Sequence, residues 1–166
     1  MKKLFLLFLF LSAITYSQEE PIQKKHEFKL NYENSKEYFG STLGISYERL
    51  FSKKNTYGFE VQKGIGYSDE DIRRDFSLTG FYRRYFSKNQ NGFFTEGFIM
   101  YAGYDSKNNV TEPNRLFIGL ALGVKFVIEN IITIDYHLGG GMDILNYVNS
   151  DIEFALRTGL SLGFRF

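Results

Sequence analysis

The sequence predicts an all-β fold, an eight-stranded antiparallel up-and-down barrel that carries its large apolar side chains on the outside. Three observations carry this expectation. Apolar and polar residues alternate with period two along successive segments, those segments number eight, and the connections between them are alternately short and long.

The elements follow in chain order. His26, Phe28, Leu30 and Tyr32 make a weaker first strand. Leu43, Ile45, Tyr47 and Phe51 alternate with Gly44, Ser46 and Glu48 in the second, and Tyr57, Phe59, Val61, Ile65 and Tyr67 with Gly58, Glu60, Gln62, Gly64 and Gly66 in the third. Phe76, Leu78, Tyr82 and Phe86 alternate with Ser77, Thr79 and Arg83 in the fourth. The fifth, Phe93 to Tyr104, is apolar on both faces but carries Glu96.

The sixth sets Leu116, Ile118, Leu120, Leu122, Val124 and Phe126 against Arg115, Gly119, Ala121, Gly123 and Lys125, with Phe117 out of place. The seventh sets Ile132, Ile134, Tyr136 and Leu138 against Thr133, Asp135, His137 and Gly139. In the eighth, Ile152, Phe154, Leu156, Leu160, Leu162, Phe164 and Phe166 share one parity, interrupted by Thr158. The opposite parity there holds Asp151, Glu153, Ala155, Arg157, Gly159, Ser161, Gly163 and Arg165.

Connections after Phe51, Phe86 and Val127 are short, while those after Tyr32, Tyr67, Tyr104 and Gly139 are longer and more polar. Tyr47 to Lys53 is echoed 35 positions later by Tyr82 to Lys88, and Gly58-Phe59 returns as Gly92-Phe93. One hairpin unit used twice places Phe93 outward and Glu96 inward.

The start has the order of an export leader: Lys2 and Lys3, an apolar run from Leu4 to Leu11, and small residues up to Ser17. That run is too short to cross a bilayer as a helix. The expected organisation is a leader over 1–17, a short segment over 18–25 and a barrel over 26–166. Cleavage after Ser17 takes 17 of 166 residues and leaves 149. Losing Lys2 and Lys3 turns a charge of +1 (20 basic, 19 acidic) into −1 (18 against 19), which argues against a nucleic-acid partner. With 0 Cys there is no disulfide framework, lipid-anchored Cys or thiolate metal site, and no cofactor is expected.

A soluble barrel would also alternate, so the decisive question is which face is inside. Eight strands enclose a lumen only wide enough to be filled by side chains. The economical face is the polar one, built from Gly, Ala, Ser and charged residues, so the Leu, Ile, Phe and Tyr face is expected to meet lipid. In hydrocarbon a closed sheet leaves no unpaired edge. Aromatics gather near the short turns (Tyr47, Phe51, Tyr57, Phe59, Tyr82, Phe86, Phe93, Phe126, Phe164, Phe166) and near the far ends (Tyr32, Tyr67, Tyr101, Tyr104), as two interfacial girdles would.

The ending Gly159-Leu160-Ser161-Leu162-Gly163-Phe164-Arg165-Phe166 resembles the carboxyl-terminal signal by which the outer-membrane assembly machinery recognises its barrels, with Leu160, Leu162, Phe164 and Phe166 as its apolar positions. Length and pattern resemble the small eight-stranded outer-membrane family typified by OmpX and the OmpA barrel, and Tyr82 to Phe94 is similar to uncharacterised barrels of Bacteroidetes. The resemblance implies a Gram-negative outer-membrane location with both barrel ends periplasmic. It also implies contact with outer-membrane lipid and lipopolysaccharide, delivery by the assembly machinery, and a monomer whose extracellular partner is unspecified.

The inward charges expected from parity are Glu48, Glu60, Arg83, Glu96, Lys125, Asp135, Glu153, Arg157 and Arg165, with His137 beside them. A salt-bridge plug is the leading expectation and a narrow polar conduit the alternative. Some barrels of this size are lipid A deacylases or acyltransferases. The deacylases set a Ser two residues from the His on one strand face, where this chain has Gly139, so a structural His137 is expected.

Arg49 and Arg84 face outward near the short-turn end and are expected as interfacial anchors. Lys63 is placed toward lipid by strict alternation, which a bulge at Gly64 or Gly66 or a position near the rim would resolve. The charged stretch Ser68 to Asp75 is expected to be a solvated loop. The expected function is a non-enzymatic outer-membrane protein, structural or adhesive, presenting four loops on a plugged barrel. A narrow channel for water, ions or small solutes is the rival, and a lipid A-modifying enzyme the third reading.

Overall fold

The computed structural model describes residues 24–35, 40–67, 72–106, 114–145 and 154–166. The expected leader, the segment up to residue 23, Glu153 and most of the longer connections lie outside the described residues.

Eight strands form as the alternation requires: β1 (His26–Ser35), β2 (Gly40–Leu50), β3 (Asn55–Gly64), β4 (Ile72–Tyr85), β5 (Gly92–Ser106), β6 (Arg115–Ile128), β7 (Ile132–Asp143) and β8 (Phe154–Arg165). Each pairs antiparallel with its sequence neighbour, and β1 pairs with β8 to close the barrel. Closure satisfies the two edges that an open sheet would leave.

At the short-turn end, Glu129 and Asn130 take φ of 51° and 52°, and the Ile131 N–H donates to the Ile128 carbonyl at 3.0 Å. Two successive positive φ values give a type I′-like turn within a three-residue connection, since the register pairs Ile128 with Ile132. The two turns of the echoed hairpin units touch, because the Gln90 side-chain amide donates to the Ser52 and Lys53 carbonyls at 2.9 and 2.6 Å.

Several strands run further than alternation indicates. β1 reaches Ser35 and β2 starts at Gly40, so the connection after Tyr32 shrinks to residues 36–39. β7 continues past Gly139 to Asp143, with Gly139 opposite Ala121 and Gly141 opposite Gly119. The expected loop Ser68 to Asp75 is strand from Ile72 onward. A register shift between Arg74 and Phe76 leaves Asp75 unpaired with β5. A bulge of this kind reverses parity, so Arg74 points inward although Phe76, two residues on, points outward.

That bulge also settles Lys63. No break occurs at Gly64, which pairs in register with Thr42. Lys63 faces outward at the long-connection end of β3, and its Nζ donates to Asp75 at 2.7 Å. The irregularity lies across the ladder in β4 and supplies the counter-charge.

The outer wall is mostly apolar, with Leu30, Ile45, Phe59, Leu120, Leu122 and Leu162 among its exposed side chains. Inside, the expectation of an inward face limited to small and charged residues is corrected. Phe81, Phe94, Phe98, Met100 and Phe117 are all buried within the barrel. The physical reason is cross-strand sharing of volume. Phe81 lies opposite Gly58, Phe94 opposite Gly123 and Phe98 opposite Gly119. A Cβ on those glycines would come within 2.5, 2.2 and 2.5 Å of the facing ring. Each inward ring leans into the space its partner leaves. Tyr104, expected in the far girdle, is buried inward for the same parity reason as Phe98.

Candidate functional site

Interior side chains from all eight strands meet in one ion-pair network, because period two sends every second residue of each strand to the same side. Glu48 on β2 sits among cations. It accepts from Lys29 of β1, from Arg83 Nη1 at 3.1 Å and from Lys125 Nζ at 3.2 Å, and the Tyr85 hydroxyl donates to it at 2.9 Å. Asp135 on β7 accepts from Lys29 at 2.5 Å and from Arg83 at 2.6 Å. Glu27 accepts from Lys125 at 2.8 Å and from Arg165 Nε at 2.7 Å.

Toward the long-connection end the centre is Arg157 on β8. It donates to Glu33 at 2.8 Å, to Glu60 at 3.1 Å and, at a shorter contact, to Glu96. Glu33 also accepts from Arg74 at 2.9 Å and faces His137 Nε2 at 3.4 Å. Glu96 joins the two halves, since Arg83 Nε donates to its second oxygen at 2.5 Å.

Among the described residues this network pairs six carboxylates (Glu27, Glu33, Glu48, Glu60, Glu96, Asp135) with six cations (Lys29, Arg74, Arg83, Lys125, Arg157, Arg165), all buried. The balance matters because an uncompensated charge in such a space would carry its full desolvation penalty. The inward rings add a second form of support. The Arg83 guanidinium lies 4.7 Å from the Phe81 ring centroid and 4.5 Å from that of Phe94. Arg157 lies 5.1 Å from Phe98, and Lys125 Nζ 5.1 Å from Tyr85. Aromatic faces hold these cations where they meet the carboxylates.

Of the inward charges named from the sequence, Glu48, Glu60, Arg83, Glu96, Lys125, Asp135, His137, Arg157 and Arg165 lie together in this interior, and Glu153 lies outside the described residues. Sequence reasoning missed Glu27, Lys29, Glu33 and Arg74. The first three were legible, being odd positions that alternate with and flank Phe28, Leu30 and Tyr32. Arg74 was hidden by the bulge.

His137 Nε2 lies 3.4 Å from Glu33 Oε1, and the position two residues on, Gly139, pairs with Arg157. On the same inward face of β7, Thr133 Oγ1, Asp135 Oδ1 and His137 Nδ1 are buried and have no hydrogen-bond partner among the described residues. Arg49 and Arg84 are both exposed on the outer wall, and Arg49 Nη1 lies 3.4 Å from the Tyr57 hydroxyl. At the carboxyl end, Phe166 stacks on His26 and Phe28 with centroids 5.6 and 5.5 Å away, while Leu160, Leu162 and Phe164 face outward.

No protein-family model and no curated protein matches this chain. Among solved structures, the crystal structure of the N-terminal β-barrel domain of Pseudomonas aeruginosa OprF is similar to it, with a TM-score of 0.62 at 15% identity. The likeness covers 87% of this chain and 98% of that one, and at this identity it concerns the fold.

Proposed function

We propose that this chain is a non-enzymatic outer-membrane β-barrel protein whose lumen is closed by its own ion pairs, acting structurally or by binding through its long-connection end. The observation that supports it is the inversion of the usual arrangement, with paired charges inside and a continuous wall of large apolar side chains outside. An exposed apolar surface of that extent is disfavoured in water and suited to hydrocarbon. Exposed rings near the short turns, among them Phe51, Tyr57, Tyr82 and Phe86, suit a membrane interface. On this reading both barrel ends are periplasmic, lipid and lipopolysaccharide surround a monomer, and Leu160, Leu162, Phe164 and Phe166 serve the assembly machinery.

The test is single-channel recording on the chain refolded into a planar bilayer, after heat-dependent gel mobility shows that it has folded. A silent bilayer is expected. Discrete, salt-dependent steps altered by Glu96→Gln would overturn the closed lumen. They would favour a narrow polar conduit, the second reading, which the row of unpaired polar atoms on Thr133, Asp135 and His137 supports.

A further inference from the structure

The outer wall has a recess on β5. Along β5 the outward positions run Phe93, Thr95, Gly97, Ile99, so two consecutive small residues sit between two large ones. Register places Thr95 between Arg84 of β4 and Leu122 of β6, and Gly97 between Tyr82 and Leu120. The wall therefore drops along β5 and rises on both banks, leaving a groove of about 580 Å³.

Gly97 has no packing reason to lack a side chain. A Cβ there would meet nothing nearer than Leu120 Cδ2 at 3.9 Å, whereas one at Gly119 would strike the Phe98 ring at 2.5 Å. The inward glycines make room for the protein's own rings, and Gly97 makes room for something else.

The short-turn end of the groove carries Arg84, for which no described residue supplies an ion-pair partner. Lys63 is instead paired with Asp75 and Arg73 with Asp105 at 2.8 Å, while Arg49, the other outward arginine without an ion pair, lies against the Tyr57 hydroxyl at 3.4 Å and away from the groove. From Thr95, beside Arg84, to Ile99 is four residues, or about 14 Å of strand. At the usual tilt of about 45° that descends roughly 10 Å, within one leaflet of a hydrocarbon core about 30 Å thick. An apolar trough inside one leaflet with an unneutralised guanidinium at its interfacial end matches the upper part of an acyl chain joined to a phosphate.

We propose that this groove is a binding site for one glycerophospholipid of the periplasmic leaflet, with an acyl chain laid over Thr95 and Gly97 and its phosphate on Arg84. The inference rests on the membrane reading above. It goes further in making one lipid a resident ligand, distinct from those that merely surround the wall.

Native mass spectrometry tests it, on the full chain extracted in mild detergent and titrated with phosphatidylglycerol. One lipid should remain bound to the parent protein. Gly97→Phe, which fills the trough, should weaken binding by about tenfold or more. Arg84→Gln should weaken it by about fivefold, the effect of one cation beside an anionic lipid surface. Arg49→Gln, on a stretch of wall without the groove, should leave binding unchanged. Should Gly97→Phe fail to show the folded gel mobility, Thr95→Leu fills the same space.

Equal lipid retention by all variants would overturn the site, as would a dimer lost in Gly97→Phe, which would assign the groove to a second copy of the chain. Flotation with phosphatidylglycerol vesicles separates the two premises. A chain that does not float sinks the membrane reading and the site together, and one that floats but retains no lipid sinks the site alone.

Discussion

Arg83 and Glu96 face each other directly across the β4–β5 ladder, and the guanidinium Nε donates to the carboxylate at 2.5 Å. The same arginine reaches Glu48 and Asp135 on other strands, and the same glutamate reaches Arg157. The pair thus joins the two halves of the interior network.

Removing one member leaves a buried charge without its counter-ion. Glu96→Gln, which preserves shape, should cost about 3–5 kcal/mol of stability, and Arg83→Met a similar amount. The double variant Arg83→Met with Glu96→Leu should recover much of the loss, since a buried pair exchanged for apolar groups of like volume is near neutral. Urea titrations read by heat-dependent gel mobility would measure this cycle. Strict additivity of the two single losses would contradict the coupling.

The inward glycines should tolerate nothing larger. Gly123→Ala would bring a methyl group to 2.2 Å from Phe94 and 2.6 Å from the Tyr136 carbonyl, so a loss of about 1–3 kcal/mol is expected. Gly97→Ala, whose new Cβ would meet only Leu120 Cδ2 at 3.9 Å, should change stability by less than about 0.5 kcal/mol. Equal effects at the two positions, in the same urea titration, would refute the inside–outside distinction drawn for these glycines.

The β4 bulge separates two kinds of charge. Lys63 and Asp75 pair on an exposed surface, so Lys63→Ala should alter stability by under about 1 kcal/mol, less at high salt. Arg74, one residue before Asp75, is buried against Glu33, and Arg74→Ala should cost several times more, about 3–5 kcal/mol. A reversed order would mean that the parity change at the bulge is misassigned.

Phe166→Ala should act twice, to different degrees. Loss of its stacking on His26 and Phe28 removes about 0.5–1.5 kcal/mol, a modest effect on refolding in detergent. Assembly in cells should fall far more steeply if the terminal strand is the signal read by the machinery. Pulse-chase measurement of folded barrel compares the two, and equal modest losses in both settings would argue against the signal.

Much of this architecture could be read from the chain directly. In β6 and β8 the parity of Leu120, Leu122, Leu160 and Leu162 assigns inside and outside without knowledge of any neighbour, because the pleat alone dictates it. The same rule places Glu48, Lys125, Asp135 and Arg157 inward. It failed at Arg74, where a single unpaired residue reverses the pleat, a feature of the β3–β4–β5 alignment that no local pattern in Ser68 to Asp75 displays.

The sequence by itself determined the strand count and the inverted placement of apolar and charged residues, since these depend on composition and periodicity along one segment at a time. Tertiary structure alone decided which partners meet. Arg157 and Glu33 lie 124 positions apart and touch because β1 closes on β8. Phe94 fits inside because register sets Gly123 opposite it, and Lys63 is neutralised because a bulge on the next strand turns Asp75 toward it. Register and closure are properties of strands in combination, and a narrow barrel makes every interior contact depend on them.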